Sequence, residues 1–279
     1  MGYARLWDLN HDHCTTWASA MNWGHVRRLD LSSGSPTHLL DALSGRVPQL
    51  KDLTFGFWPN ETSYPTSAWS CADDPDVLIR FLNSIVAPER VRLYSWDGKD
   101  MRQIRLVLLA RYGPTLRHLE SDLGSRDAWN IEQFADVCNR APDLEGLKAT
   151  MGLEKVDGKG DTMWSNGTQR LLTRIQSLRH LTLQIVPLGD SRQIIDYCPG
   201  SFGDVDSVKL TKGIARNLVR KMWHDFGPGS AIERIEMSFV APYSSTRIWT
   251  FRATMKWENE HGEERLQIDS TARGPYYGA

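Results

Sequence analysis

Along this chain apolar side chains recur in a hexad, apolar-x-x-apolar-x-apolar, whose first position falls at residues 26, 50, 88, 116, 144, 178, 205 and 232. In order the hexads read VRRLDL, LKDLTF, PERVRL, LRHLES, LEGLKA, LRHLTL, VDSVKL and IERIEM, and a weaker copy, ARLWDL, occupies residues 4–9. Pro88, Ser121 and Ala149 make three of them degenerate. The fourth and sixth positions obey the two-residue alternation of a strand, so each hexad predicts a short strand with its apolar side turned to a core. Between the hexads, residues 36–43, 76–86, 101–110, 131–138, 169–175, 192–197 and 214–223 place apolar residues at helical spacing. Ser35, Asp76, Asp127 and Ser191 precede or open several of these runs and are read as helix N-caps.

Each unit therefore reads strand, loop, helix, loop. Neither element buries its apolar side alone, so stacking of successive units creates the core. The hexads resemble the leucine-rich-repeat motif, L-x-x-L-x-L-x-x-N/C-x-L, over residues 4–240. At the motif's ninth position stand Gly34, Trp58, Trp96, Gly124, Gly152, Val186, Gly213 and Val240, so glycine turns are expected in place of an asparagine ladder. The fold implied is α/β: a right-handed horseshoe-like solenoid of eight or nine units, with a concave parallel sheet and helices outside. The LRHL cores, the proline-led approaches at 47–50 and 141–144, and the abundant tryptophan resemble the repeat region of fungal F-box proteins. The opening YARLWDLNHD looks like the segment that follows an F-box in that family. Three segments are expected: a capping piece at 1–25, the eight-unit solenoid at 26–240, and a C-terminal cap with a tail at 241–279.

After residue 240 the period changes. Residues 247–257 (RIWTFRATMKW) alternate as a strand, with Trp249, Phe251, Ala253, Met255 and Trp257 on one face. Residues 265–268 are expected to return beside them, making a hairpin that covers the last layer of the solenoid.

Composition narrows the function. The 279 residues carry 33 basic and 34 acidic side chains, a net charge of −1, which lacks the basic excess that phosphate backbones attract. No segment has the length and apolarity of a membrane span, and the acidic and histidine residues near the start leave no secretion signal. A cytoplasmic or nuclear location follows, with Cys14, Cys71, Cys138 and Cys198 reduced and the sequons at Asn60 and Asn166 marking polar loops. No phosphate-binding loop, dinucleotide fingerprint or nucleophile elbow occurs. His11-Asp12-His13-Cys14 is read as a polar loop, and neither cofactor nor metal is expected.

Third, fifth and seventh hexad positions face the hollow. Arg28, Arg90, Arg92, Lys148, Lys209 and Arg234 stand there against Asp30, Asp52, Glu120, Asp122 and Glu236, a mixed surface suited to a protein partner. His118 and His180 share a column two units apart, with Gly146 between them, about 10 Å at strand spacing and too far for one metal. Glu120 and Lys148 are expected to form a cross-strand ion pair. The longest intervals insert residues 59–75 and 153–168 at one edge of the horseshoe. The first insertion carries Tyr64 and Trp69 beside Trp58, while Tyr94 and Trp96 leave the next strand.

The candidate protein-binding residues are thus Trp58, Tyr64, Trp69, Arg90, Arg92, Tyr94, Trp96, His118, Glu120, Lys148 and His180. The expected function is a non-enzymatic protein-binding scaffold. The family resemblance implies the substrate-recognition part of a cullin ubiquitin ligase, whose adaptor would dock only through an F-box located elsewhere. The alternative is an enzyme centred on His118, Glu120 and His180.

Overall fold

Wherever the structure describes a hexad, that hexad forms a strand. The computed structural model describes residues 11–31, 37–56, 75–94, 101–122, 129, 131–153, 168–187, 212–227, 229–240, 248–257 and 264–273. The chain divides into two compact units, residues 1–123 and 124–279, each of mixed α/β build.

In the first unit the elements run α1 (His11–Ala20), β1 (Arg28–Leu31), α2 (Thr37–Leu43), β2 (Asp52–Gly56), α3 (Pro75–Ser84), β3 (Arg90–Tyr94), α4 (Met101–Tyr112) and β4 (His118–Asp122). The strands are parallel and lie in chain order. Leu29, Leu53, Val91 and Leu119 face one another in register and are buried, as expected of the fourth hexad position. Helices α1 to α4 pack side by side in the same sequence.

The second unit runs α5 (Ile131–Arg140), β5 (Gly146–Leu153), α6 (Thr168–Leu172), β6 (His180–Pro187), α7 (Lys212–Phe226), β7 (Arg234–Val240), β8 (Ile248–Trp257) and β9 (Glu264–Arg273). Strands β5, β6 and β7 are parallel, and β8 and β9 add an antiparallel hairpin to β7. Leu147, Leu181 and Ile235 form the buried row here, and Met255 of β8 extends it opposite Ile235.

A backbone relay shows why the units repeat. The carbonyl of the second hexad residue accepts two N–H groups from the next unit: Arg27 from Lys51 and Asp52, Lys51 from Glu89 and Arg90, and Glu89 from Arg117 and His118. The second unit repeats it, Glu145 accepting from Arg179 and His180, and Arg179 from Glu233 and Arg234. Side chains at that position add the ion pairs Lys51–Glu89 at 3.1 Å and Arg179–Glu233 at 3.0 Å. Half exposed, each contributes at most about 1 kcal/mol.

The relay passes directly from Arg179 to Glu233, and β6 pairs directly with β7. The hexad at 205–210 therefore has no place between them, which corrects the expectation that Val208 fills the row between Leu181 and Ile235. The reason lies in the connection. Helix α7 begins at Lys212, leaving the single residue Thr211 to turn a strand back into a helix, whereas β1 and α2 are separated by residues 32–36. Crossovers of one residue are too short for that reversal. Residues 205–211, the copy at 4–9 and the run 192–197 lie outside the described residues.

Two local expectations also change. Residues 11–14 belong to α1, not to a polar loop. Its buried strip consists of Cys14 and Ala18, too small to give a strong apolar period. Asp76 lies inside the first turn of α3, behind Pro75 at the first helical position, where its charge faces the helix's positive end rather than capping it. Ser35, Asp127 and Ser191 lie outside the described residues.

Tyr112, fully buried at the end of α4, directs its hydroxyl to the carbonyl oxygens of Leu82 and Ile85 (2.9 Å to the latter). Leu82 lies in the last turn of α3, its carbonyl also accepting the Ile85 N–H at 3.2 Å, and Ile85 directly follows the helix. Tyr112→Phe is expected to destabilise the chain by about 1–2 kcal/mol, because it removes a buried donor from these carbonyls while keeping the ring. Chemical denaturation checks this, and an unchanged midpoint would show that the bond contributes nothing.

Candidate functional site

The sheet alternation that buries the leucines turns the third and fifth hexad residues to the opposite, open face. In the first unit the register makes two rows there. One is Arg28, Asp52, Arg90 and His118; the other is Asp30, Thr54, Arg92 and Glu120. Acidic and basic groups thus mix across the strands, Asp52 standing between Arg28 and Arg90, and Glu120 beside Arg92.

Arg92 ties the rows together. Its Nε donates to Glu120 Oε1 at 3.0 Å, and its Nη1 donates to Thr54 Oγ1 at 3.1 Å while lying 3.5 Å from Asp52 Oδ1. Arg90 Nη1 stands 3.9 Å from Asp52 Oδ2. One guanidinium thereby bridges three strands. Its side chain is only 16% exposed, so solvent screens these contacts less than it screens a surface pair. Thr54 is buried beneath it, which alternation alone did not foretell for a residue on the open face.

In the second unit the first row is Gly146, His180, Arg234, Lys256 and Arg265, and the second is Lys148, Thr182, Glu236, Thr254 and Gln267. His180 Nε2 is 3.4 Å from Glu233 Oε2, and Arg234 donates to Glu236 Oε2 at 2.6 Å. Glu233, Lys256 and Arg265 were not among the sequence-derived candidates. The alternation of residues 247–257, which set Met255 inward, already carried the signal that Lys256 faces outward.

Of the candidates, Arg90, Arg92, His118 and Glu120 come together on β3 and β4. Tyr94 ends β3, its backbone paired with Gly56 and Asp122. Lys148 and His180 belong to the second unit, so Glu120 and Lys148 fall in different units. Trp58, Tyr64, Trp69 and Trp96 lie outside the described residues, as does Trp164.

The described thiols do not suit nucleophilic chemistry. Burial raises the Cys14 thiol above its ordinary value and pushes Cys138 up to about 11, the nearby Arg174 notwithstanding, so both stay protonated at neutral pH. In α1, Cys14 turns inward while His11, Asp12 and His13 are exposed, which parts residues that are adjacent in sequence. Among the described residues no three His, Cys, Asp or Glu side chains converge as a metal site would require. Among them, too, no helix is long and apolar enough to cross a membrane.

No known family model matches the chain, and no curated protein is significantly similar to it.

Proposed function

We propose that this chain is a non-enzymatic recognition scaffold that binds a protein on the open sheet face and along the edge expected to bear the insertion 59–75. The observation that carries the reading is the open face of the first unit. Its charged side chains are of mixed sign, stand in register, and are held by Arg92 across three strands. A surface of fixed, mixed charge selects a partner by complementarity without attracting polyanions in general. Neither a cofactor nor a metal is needed.

The finer architectural reading is a leucine-rich-repeat-like solenoid of horseshoe form, with β8 and β9 as its C-terminal cap. It is supported by the recurring relay at the second hexad position and by the in-order parallel strands. Within that reading, the chain acts as the substrate-recognition part of an F-box-type ubiquitin ligase, docking its adaptor through an F-box situated elsewhere. The enzymatic alternative around His118, Glu120 and His180 has less support. Glu120 is committed to Arg92, and His180, half exposed, lies against Glu233.

The contact patch on the loop-bearing edge comprises Trp58, Tyr64, Trp69, Arg92, Tyr94 and Trp96. Aromatic and arginine anchors at interfaces commonly cost at least about 2 kcal/mol each on truncation. With a partner recovered by affinity purification and identified by mass spectrometry, Tyr94→Ala and Trp96→Ala are each expected to weaken binding roughly thirtyfold, mainly by faster dissociation. Thermal unfolding of each variant is measured alongside. Variants that fold normally and bind unchanged would remove this edge from the interface.

A further inference from the structure

The backbone relay begins at Arg27, whose carbonyl accepts the N–H groups of Lys51 and Asp52. In every later link the donors are likewise the second and third hexad residues. In the first hexad those two residues are Arg27 and Arg28. Among the described residues no strand precedes β1 in the sheet, so their N–H groups meet no such carbonyl. The hexad copy at 4–9 cannot provide one by the same parallel route. Asn10 alone separates it from α1, a one-residue connection like that at Thr211.

Three side chains at this end of the first unit are incompletely matched. Leu29 is 9% exposed, whereas Leu53 and Val91, its partners along the buried row, are 0% exposed. Trp23, buried in the turn before β1, has no hydrogen-bond partner for its indole N–H among the described residues. Orphaned buried donors of this kind are rare in folded chains. Trp17 packs edge-on against Trp23 at 5.4 Å yet stays 39% exposed. It lies about 120° round α1 from His11, which meets His38 of α2, so its ring is turned away from α2.

Charge marks the same edge. Asp52, across from Arg28 on β2, is engaged by Arg90 and Arg92, 3.9 and 3.5 Å away. Arg28 is exposed and makes no ion pair with the described residues.

We propose that the outer edge of β1 docks an extended segment of a partner polypeptide, which joins the sheet as a parallel strand. The inference rests on the scaffold reading and adds a second contact site with its partner's chemistry. Continuity with the β1–β2 pairing sets that chemistry. A carbonyl of the segment takes the Arg27 and Arg28 N–H groups, as Arg27 takes those of Lys51 and Asp52. The segment's third residue is acidic and faces Arg28, while its fourth and sixth are apolar and cover Leu29 and Leu31. Addition of a strand to an exposed sheet edge is a recurring mode of peptide recognition. A second copy offering the same edge across a two-fold axis would run antiparallel and would not reproduce the relay.

The test uses the whole chain and the peptide LTDLKL, with LTKLKL and LTDPKL as comparisons. Amide hydrogen exchange is followed residue by residue by NMR, and sedimentation is measured at the same concentrations. In the free chain the Arg27 and Arg28 amides are expected to exchange rapidly, while those of Lys51 and Asp52 are protected. Saturating LTDLKL is expected to slow the first pair at least roughly tenfold. LTKLKL is expected to bind at least roughly tenfold more weakly. LTDPKL, which lacks a ladder N–H, is expected not to bind. Arg28→Glu is expected to reverse the preference and bind LTKLKL over LTDLKL, whereas a variant that merely misfolded would lose both peptides.

Protected Arg27 and Arg28 amides in the free monomer would overturn the proposal, because the edge is then covered from within the chain. A dimer whose dissociation exposes those amides would overturn it in favour of a second copy. Absence of saturable LTDLKL binding, or equal affinity for LTKLKL, would also overturn it. A natural partner that binds Arg28→Glu as tightly as the unaltered chain would overturn it too, while leaving the scaffold reading standing.

Discussion

Removal of residues 247–279 is expected to leave a chain that aggregates rather than a shorter, well-behaved fold. Strand β7 pairs with β8 along its whole length, from Arg234 opposite Lys256 to Val240 opposite Thr250. Without the hairpin those backbone groups become an open edge, which is a template for pairing with other chains. Apolar surface is uncovered at the same time. Ile235 and Met237 lose the layer that Met255 completes, and α7, which packs on β8 and β9 as well as β7, loses part of the surface that buries its apolar side. The contiguous apolar patch this creates is of the kind that soluble monomers seldom tolerate. Light scattering and size-exclusion chromatography of the truncated chain check the expectation. A soluble monomer with cooperative unfolding would show that the hairpin is dispensable to the core.

Leu181→Ala is expected to cost about 2–5 kcal/mol, the range found when a buried leucine is truncated in a core that cannot fully collapse around the gap. Leu181 lies in the middle of the second unit's buried row, between Leu147 and Ile235, and is 1% exposed. Its neighbours are strands fixed by the backbone relay, so they cannot close on the cavity without breaking those bonds. Urea denaturation followed by tryptophan fluorescence measures the loss. A change below about half a kcal/mol, the usual range for surface positions, would show that Leu181 does not support the core.

The candidate site was only partly legible. Register positions named Arg90, Arg92, His118 and Glu120 as residues of one face, because side-chain direction in a strand depends on parity alone. That Arg92 would become the hub was not readable. Asp52 and Glu120 lie 40 residues behind it and 28 ahead, and which of several acids meets a given guanidinium depends on strand pairing. Lys256 and Arg265 were missed for a similar reason: they join the row of His180 and Arg234 through antiparallel pairing, which no hexad count includes. Conversely, α1 went unread because Cys14 and Ala18 bury a strip too weakly apolar to stand out.

The sequence by itself determined the repeating unit and its two-sidedness. Hexads at 26, 50, 88, 116, 144, 178 and 232 became strands or led into them, and even the degenerate Ser121 and Ala149 are buried where leucine is usual. Such alternation is local: each residue's face follows from its neighbour's. Only the tertiary structure decided which hexads join the sheet and which charges meet. VDSVKL has the same apolar spacing as its counterparts, yet Arg179 passes its relay directly to Glu233, because a strand is admitted only where its connections allow the chain to return to the next place in the sheet. Membership and pairing are properties of chain path and of partners distant in sequence, and local pattern does not encode them.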